Sequence, residues 1–202
     1  MSFNELNSVE NYIIKQLTGV NLNTNRISED TTLYNGFWHY KSAQELQRSV
    51  NEVLLEANLK EALVRLNPEI KQNPELADEV IYKLRAILIS VHQVGLVRAN
   101  EDFFQWLQGD KTMPFGENNR HVPVRIIDFD DLQNNSFIAT TQFRIHHRET
   151  KIPDIVLFIN GIPMVIGEAK TPIRPSISWL DGAHEVHDIY ENSVLQLFVP
   201  NI

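Results

Sequence analysis

The sequence predicts an α/β fold, a central mixed sheet flanked by helices on both faces, interrupted by a large helical insertion. Three observations carry this reading. Two apolar runs, Ile155 to Ile159 and Ile162 to Ile166, are joined by Asn160-Gly161, a dipeptide that tolerates positive φ at both positions and marks a β-hairpin. Both faces of these strands are apolar, with Val156, Phe158, Met164 and Ile166 on one and Ile155, Leu157 and Val165 on the other. Such strands belong in the middle of a sheet covered on both sides. Apolar residues also recur with helical spacing from about Ser42 to Leu107 and with strand spacing from Val122 onward.

In chain order, Glu5 to Leu17 reads as a helix with Val9, Ile13 and Leu17 on one apolar face, Leu6 and Ile14 widening it and Glu10 beside it. Residues 19 to 40, with the aromatic cluster Tyr34, Phe37, Trp38 and Tyr40, read as loop with room for one short strand. The helical section holds Leu46, Val50, Val53 and Leu54 in one segment, Leu59, Leu63 and Leu66 in the next, and Val80, Ile81, Leu84, Leu88 and Val91 in a longer one. Asn67-Pro68 and Asn73-Pro74 break it, because a residue before proline is pushed out of the α region. A last helix with Phe103, Phe104 and Leu107 stops at Gly109, and Phe103, Phe104 and Trp106 are read as core. Val122 to Phe129 and Ser136 to Ile145, either side of a turn at Asn134-Asn135, read as strands leading into the hairpin. Ile177 to Tyr190 reads as a helix capped by Ser176 or Ser178, and Val194 to Val199 as a final strand. Residues 1–202 thus form one domain, with the insertion at about 42–108 and the core at about 120–202. It is expected to be the N-terminal piece of a longer polypeptide, since the sequence stops just after that strand.

A chain of 202 residues with 43% hydrophobic content can bury a core of its own. It has no cysteine, which excludes disulfides and thiolate metal sites. The polar start MSFNELNSVENY is not a signal peptide, and no apolar run is long enough to span a bilayer, so a cytoplasmic protein is expected. A formal charge of -8 argues against a module that grips nucleic acid by bulk electrostatics. It leaves nucleic acid open as a substrate, because a metal-dependent nuclease site is built from carboxylates.

Chemistry gathers at the hairpin's open end, where Asp154 precedes the first strand, Glu168 follows the second and Lys170 lies two residues beyond. A two-residue turn would put Asp154 and Glu168 on opposite faces. A three-residue loop, Ile159-Asn160-Gly161 with the glycine in a G1 bulge, would put Asp154, Glu168 and Lys170 on one face, and this loop is predicted. Pro153-Asp154 with Glu168-Ala169-Lys170 matches the PD-(D/E)xK pattern of Mg²⁺-dependent nucleases. Two hard oxygen donors hold a hard cation against a phosphate while the lysine orients or helps deprotonate the attacking water and offsets developing charge. The competing reading makes Asp154 a turn end and Glu168 and Lys170 a solvated edge pair. Arg120, Arg125, Lys151 and Arg174 are the candidates for DNA contact. His184 and His187 lack a third ligand at suitable spacing and read as DNA-facing or surface histidines. His146-His147-Arg148 reads as a polar strand end. With no Gly-x-x-x-x-Gly-Lys-[Ser/Thr], the chain is not itself an ATP-driven motor.

The stretch PDIVLFINGIPMVIGEAKTP, preceded by NNSFIATTQFRI, resembles the N-terminal nuclease domain of the R subunit of type I restriction-modification enzymes, within the PD-(D/E)xK superfamily. LKEALVRLNPEI, RANEDFFQWLQGD and YENSVLQLFVPN resemble it too, so the likeness spans most of the chain and is strongest from Asn134 to Asn201. The resemblance implies a restriction-endonuclease-like αβββαβ core and Mg²⁺-dependent cleavage of foreign double-stranded DNA, with Mn²⁺ able to substitute. It further implies an ATP-fed motor on the same polypeptide and methyltransferase and specificity subunits as partners. By position, Asp154 and Glu168 become metal ligands, the carbonyl of Ala169 a third, and Lys170 the catalytic lysine. An acid from the first helix is also implied near the metal, with Glu10 the candidate and Glu5 the alternative. The family's Gln-x-x-x-Tyr motif is altered here, because Glu185 and Tyr190 occupy its place five residues apart. The rival expectations are a stand-alone PD-(D/E)xK nuclease of DNA repair or RNA processing, and a docking module for DNA or partner subunits that is inactive in isolation.

Overall fold

The computed structural model describes residues 9–24, 26–27, 36–170 and 178–201, which form two compact units. The first comprises Met1–Leu46, Phe137–Phe158 and Val165–Val194; the second comprises Gln47–Ser136, Ile159–Met164 and Leu195–Ile202.

The first unit is built on a four-stranded sheet whose strands are β1 (Trp38–Tyr40), β2 (Phe137–Thr141), β3 (Ile155–Ile159) and β4 (Ile162–Gly167), in the order β4, β3, β2, β1. The turn end of the hairpin, Ile159–Met164, is counted with the second unit. β1 is parallel to β2, with Trp38 opposite Phe137 and Tyr40 opposite Ala139. β2 and β3 are antiparallel, since main-chain bonds join Gln142 to Asp154 and Asn160 to Ser136. The sheet is therefore mixed, as predicted. Its fourth member, β1, comes from the stretch read as loop with room for one strand. Phe37 and Trp38 both meet the Phe137 ring edge-on, at 5.7 and 5.2 Å, which ties this short strand to its neighbour.

Helix α1 (Asn11–Thr18) packs on β1 and β2 and ends at Gly19. Its buried side is Glu10, Ile14 and Thr18, while Val9, Ile13 and Leu17 are only half-buried. The expected face is thus rotated, and Glu10 begins the buried stripe instead of lying beside it. Leu6 and Glu5 lie outside the described residues.

The second unit contains α2 (Glu56–Leu66), α3 (Pro68–Gln72), α4 (Leu76–Val94) and α5 (Leu96–Leu107). The predicted apolar positions Leu59, Leu63, Val80, Ile81, Leu84, Leu88, Val91 and Phe103 are all buried, as is Trp106. Phe104 differs, at 37% exposed, because it faces away from the side that Phe103 and Leu107 bury. The breaks fall at Asn67-Pro68 and Asn73-Pro74 as expected. No helix among the described residues is long and apolar enough to cross a membrane.

Three expected elements take other forms. Residues 43–54 are turns and bends instead of helix: the Glu45 carboxylate accepts from the Ser42 main chain and hydroxyl, and Glu52 accepts from the Ser49 main chain. These side chains satisfy the backbone locally and compete with helical bonding. The strand expected at Val122 to Phe129 is confined to Val122–Pro123, paired with Thr112–Met113. Beyond it Val124, Ile126 and Ile127 are buried without a partner strand. Two asparagines do that strand's hydrogen bonding: Asn67 accepts from the Arg125 N–H and donates to its carbonyl, and Asn160 donates to the Ile126 carbonyl. The expected final strand is a helical turn, Leu195–Phe198, packed on α4 and α5. Its buried residues Val194, Leu197 and Phe198 follow helical spacing.

Asn160 and Gly161 have φ of 50° and 81° and stand alone between Ile159 and Ile162, the signature of a two-residue type I′ turn. The predicted three-residue loop is not formed. Nor is the turn exposed: Asn160 is fully buried, with its carboxamide bonded to Ser136, Asn135, Ile126 and Arg65. A Cβ on Gly161 would lie 2.4 Å from the Leu55 carbonyl oxygen, which is main chain and cannot swing aside. Gly161→Ala is therefore expected to cost about 3 kcal/mol or more, adding positive-φ strain to overpacking. Urea denaturation measures it, and a loss below about 1 kcal/mol would contradict this close approach.

Candidate active site

Asp154 and Glu168 meet in the first unit by a route that strand alternation does not describe. Asp154 lies in a bend ahead of β3, and Glu168 follows Gly167, the last residue of β4. Because neither residue is in a strand, the two-residue turn does not force them onto opposite faces. The main-chain N–H groups of Gln142 and Phe143 donate to the carbonyls of Asp154 and Pro153, at 2.9 and 3.0 Å, and fix this bend. Asp154 Oδ2 then accepts from the N–H of Ala169 at 2.8 Å, which draws the segment after β4 against it.

Beside this contact is a closed ring of four side chains. Lys170 Nζ donates to Glu168 Oε1 at 2.9 Å and to Glu185 Oε2 at 2.6 Å; the Tyr190 hydroxyl lies 3.1 Å from both Glu168 Oε2 and Glu185 Oε1 and shares its single hydrogen between them. All four carboxylate oxygens are thereby engaged. The Glu168 side chain is 7% exposed and that of Lys170 19%, so the solvated edge pair that competed with the catalytic reading is not what forms.

Glu185 and Tyr190 reach the ring because the helix changes type beneath them. Ser178 caps α6 (Trp179–His184): its hydroxyl accepts from the Leu180 N–H, and Asp181 accepts from the Ser178 N–H. Ser176 and Ile177 lie outside the described residues. From Glu185 to Tyr190 the helix is of the π type, closing over i to i+5, so residues five apart return to one side. The five-residue spacing of Glu185 and Tyr190 fits this wider turn. A Cβ on Gly182 would sit 3.4 Å from Lys170 Cγ, so α6 already lies in close contact with the lysine.

Glu10, 1% exposed, joins from the start of α1: Gln142 Nε2 donates to Glu10 Oε1 and to Asp154 Oδ1, at 3.0 Å each. Sequence reasoning missed Gln142. The pattern placed it inside the strand expected from Ser136 to Ile145, whereas the strand ends at Thr141 and the role of Gln142 depends on the break that its φ of 54° creates.

Burial is the largest influence on the Glu168 carboxyl, and with the Asp154 and Glu185 charges it outweighs the Lys170 hydrogen bond and lifts the acid to about 7. Burial alone would lower Lys170, but its bonds to Glu168 and Glu185 hold it well above its ordinary value. Burial and the same two carboxylates raise Tyr190 far up. For Glu185 burial acts upward, yet the Lys170 and Tyr190 bonds leave it below the usual carboxylate range. With an ordinary value of 4.5, Glu168 is protonated in the folded chain and ionised in the unfolded one between about pH 4.5 and 7. The folded state then binds more protons, so its contribution to stability is full below pH 4.5 and is lost as pH rises through 7. Denaturation without divalent cation should show this downward slope, and Glu168→Gln should flatten it; a slope that persists in the variant would assign it to other groups.

The donor set suits a hard divalent cation in its chemistry. Glu10, Asp154, Glu168 and Glu185 offer only oxygen, Lys170 is a cationic neighbour of Glu168 and Glu185, and the Asp154 and Glu185 charges add to burial in raising the Glu168 acid. Among the described residues, no group of three or more His, Asp or Glu forms a ready-made metal cluster; the acids here are bonded to Gln142, Lys170, Tyr190 and the Ala169 N–H.

The structure thus brings together Asp154, Glu168, Ala169, Lys170, Glu10, Glu185 and Tyr190. Arg120 and Arg125 belong to the second unit, where Arg125 faces Asp128 and Asp130. Lys151 is in the first unit, paired with Glu149 at 2.8 Å, and Arg174 lies outside the described residues. His184 and His187 are exposed, with Asp188 and Glu191 as their partners.

Fold and site by themselves define a mixed α/β protein organised around a carboxylate, lysine and tyrosine network. Comparison with known sequences narrows this: the family described as "Type I restriction enzyme R protein N terminus" matches residues 3–201. The chain belongs to this family. It is 30% identical over 177 residues to the type I restriction enzyme HindI endonuclease subunit of Haemophilus influenzae, covering 81% of this chain and 16% of that protein. It is 29% identical over 143 residues to a candidate type I restriction enzyme MjaIXP endonuclease subunit of Methanocaldococcus jannaschii, covering 67% of this chain and 14% of that protein. The chain therefore spans only about a sixth of the relatives it matches. No solved structure gives a significant match.

Proposed function

We propose that the chain is the Mg²⁺-dependent endonuclease domain of a type I restriction R subunit, with a PD-(D/E)xK core, hydrolysing phosphodiester bonds of foreign double-stranded DNA. The observation that supports it most is the convergence of Asp154, Glu168 and Lys170 at one end of the hairpin, in a chain whose relatives are endonuclease subunits. Asp154, Glu168 and the Ala169 carbonyl would hold Mg²⁺, with Mn²⁺ able to replace it. When bound, the cation supplies positive charge against the phosphate and acidifies water. Lys170 keeps its proton at neutral pH, since both carboxylates beside it favour the charged form. It acts as a fixed cation that orients the attacking water and offsets charge growing on the nonbridging oxygens as the 3′ oxygen leaves. Glu185 and Tyr190 hold Lys170 and Glu168 in their places.

Arg120, Arg125, Lys151 and Arg174 are the proposed DNA contacts. With a net charge of -8, the domain would depend on the ATP-fed motor of its own polypeptide, and on methyltransferase and specificity subunits, to bring DNA to the site. The test is cleavage by the assembled enzyme with the divalent cation chelated, and with Asp154 or Lys170 replaced. Cutting that survives all of these changes would overturn the reading.

A further inference from the structure

Gln142 occupies a backbone region that residues other than Gly, Asn and Asp rarely adopt, with φ of 54°. It ends β2 there and turns its side chain toward Glu10 and Asp154. Its main-chain N–H donates to the Asp154 carbonyl at 2.9 Å, and its side-chain Nε2 donates to Asp154 Oδ1 and Glu10 Oε1 at 3.0 Å each. The two acids come from parts of the sequence 144 positions apart (154 − 10), yet they share the two hydrogens of one amide.

The chemistry of that amide is selective. Two carboxylates this close repel. A lysine would neutralise one of them and compete with a cation for the site. A carboxamide nitrogen has two donors and no net charge, so it bridges both acids without bringing a cation of its own. We propose that Gln142 is a positioning residue of the divalent-cation site, gripping Asp154 by main chain and side chain and holding Glu10 beside it, so that an acid of the first helix adds its charge to the hairpin's. The inference rests on the reading of Asp154 as a cation ligand.

Two substitutions remove the donors in different ways. Gln142→Gly also relaxes the backbone, because glycine adopts φ near 54° without strain, whereas Gln142→Met keeps the bulk. Mn²⁺ titrated by calorimetry into the full-length subunit, without nucleotide, gives a Kd for the binding that Asp154→Ala abolishes. Both Gln142 variants are expected to raise this Kd by about tenfold or more, the range for groups that orient metal ligands. The cation-free melting temperature of Gln142→Gly should fall less than that of Gln142→Met, because glycine relieves the backbone while both lose the same hydrogen bonds, so a Kd raised equally in both is not a consequence of lost stability. Unchanged Mn²⁺ affinity in either variant overturns the inference while leaving the cation site intact. Mn²⁺ binding that Asp154→Ala does not affect overturns the cation-site reading, and this inference falls with it.

Discussion

Lys170→Ala in the assembled enzyme is expected to lower the rate of DNA cleavage by a factor on the order of 10²–10³, the scale of losing one fixed charge aimed at a transition state. The ammonium is held on two sides, by Glu168 and Glu185, so it keeps its position before substrate arrives. Its removal also leaves those carboxylates facing each other with Tyr190 as their shared donor. Glu168, whose acid already stands near 7, would then shift further up and bind a cation less well at neutral pH. ATP hydrolysis by the proposed motor should be unchanged, which separates a chemical defect from failed assembly. Cleavage within a few-fold of normal would remove Lys170 from the chemistry.

Asp154→Ala is expected to be at least as damaging to cleavage, and it should also weaken the fold. Asp154 accepts from the buried Ala169 N–H and from Gln142, so alanine leaves a buried donor unpaired at a cost of about 1–3 kcal/mol. Asp154→Asn separates the two effects. Its carbonyl oxygen can still take the Ala169 N–H, but the side chain has lost its charge and meets Gln142 donor to donor. Melting curves should place the asparagine variant between the parent and the alanine variant, while cleavage is lost in both. Normal cleavage by Asp154→Asn would show that the charge is not needed.

How far the sequence could be read depended on how local the determinants were. The helices α2, α4 and α5, the hairpin strands and the Ser178 cap follow from periodicity, proline breaks and capping chemistry within a few residues. The meeting of Asp154, Glu168 and Lys170 was also legible, although the reason given for it was not. Alternation along a strand was extended past the strand ends, where the bend at Asp154 and the Ala169 N–H decide the matter instead. Other features needed distant partners to be visible. Asn67 and Asn160 stand in for a missing strand, and Trp38–Tyr40 becomes a strand only beside Phe137. Val194 to Val199 is apolar and β-rich, yet its burial on helices suits a helical turn. The π turn at Glu185–Tyr190 was equally hidden, since five-residue spacing does not bring two side chains to one side of an α-helix but does so in the helix that forms.

The division of the chain into units has a practical consequence for engineering. The backbone passes from one unit to the other between residues 46 and 47, 136 and 137, 158 and 159, 164 and 165, and 194 and 195. The acid-bearing unit is thus assembled from three separate stretches, and no single truncation yields it. To keep the acid network whole, any transplant of it would have to carry the entire span from Glu10 to the turn at Leu195–Phe198. Junctions belong outside that span, and chimeras between relatives should exchange it entire.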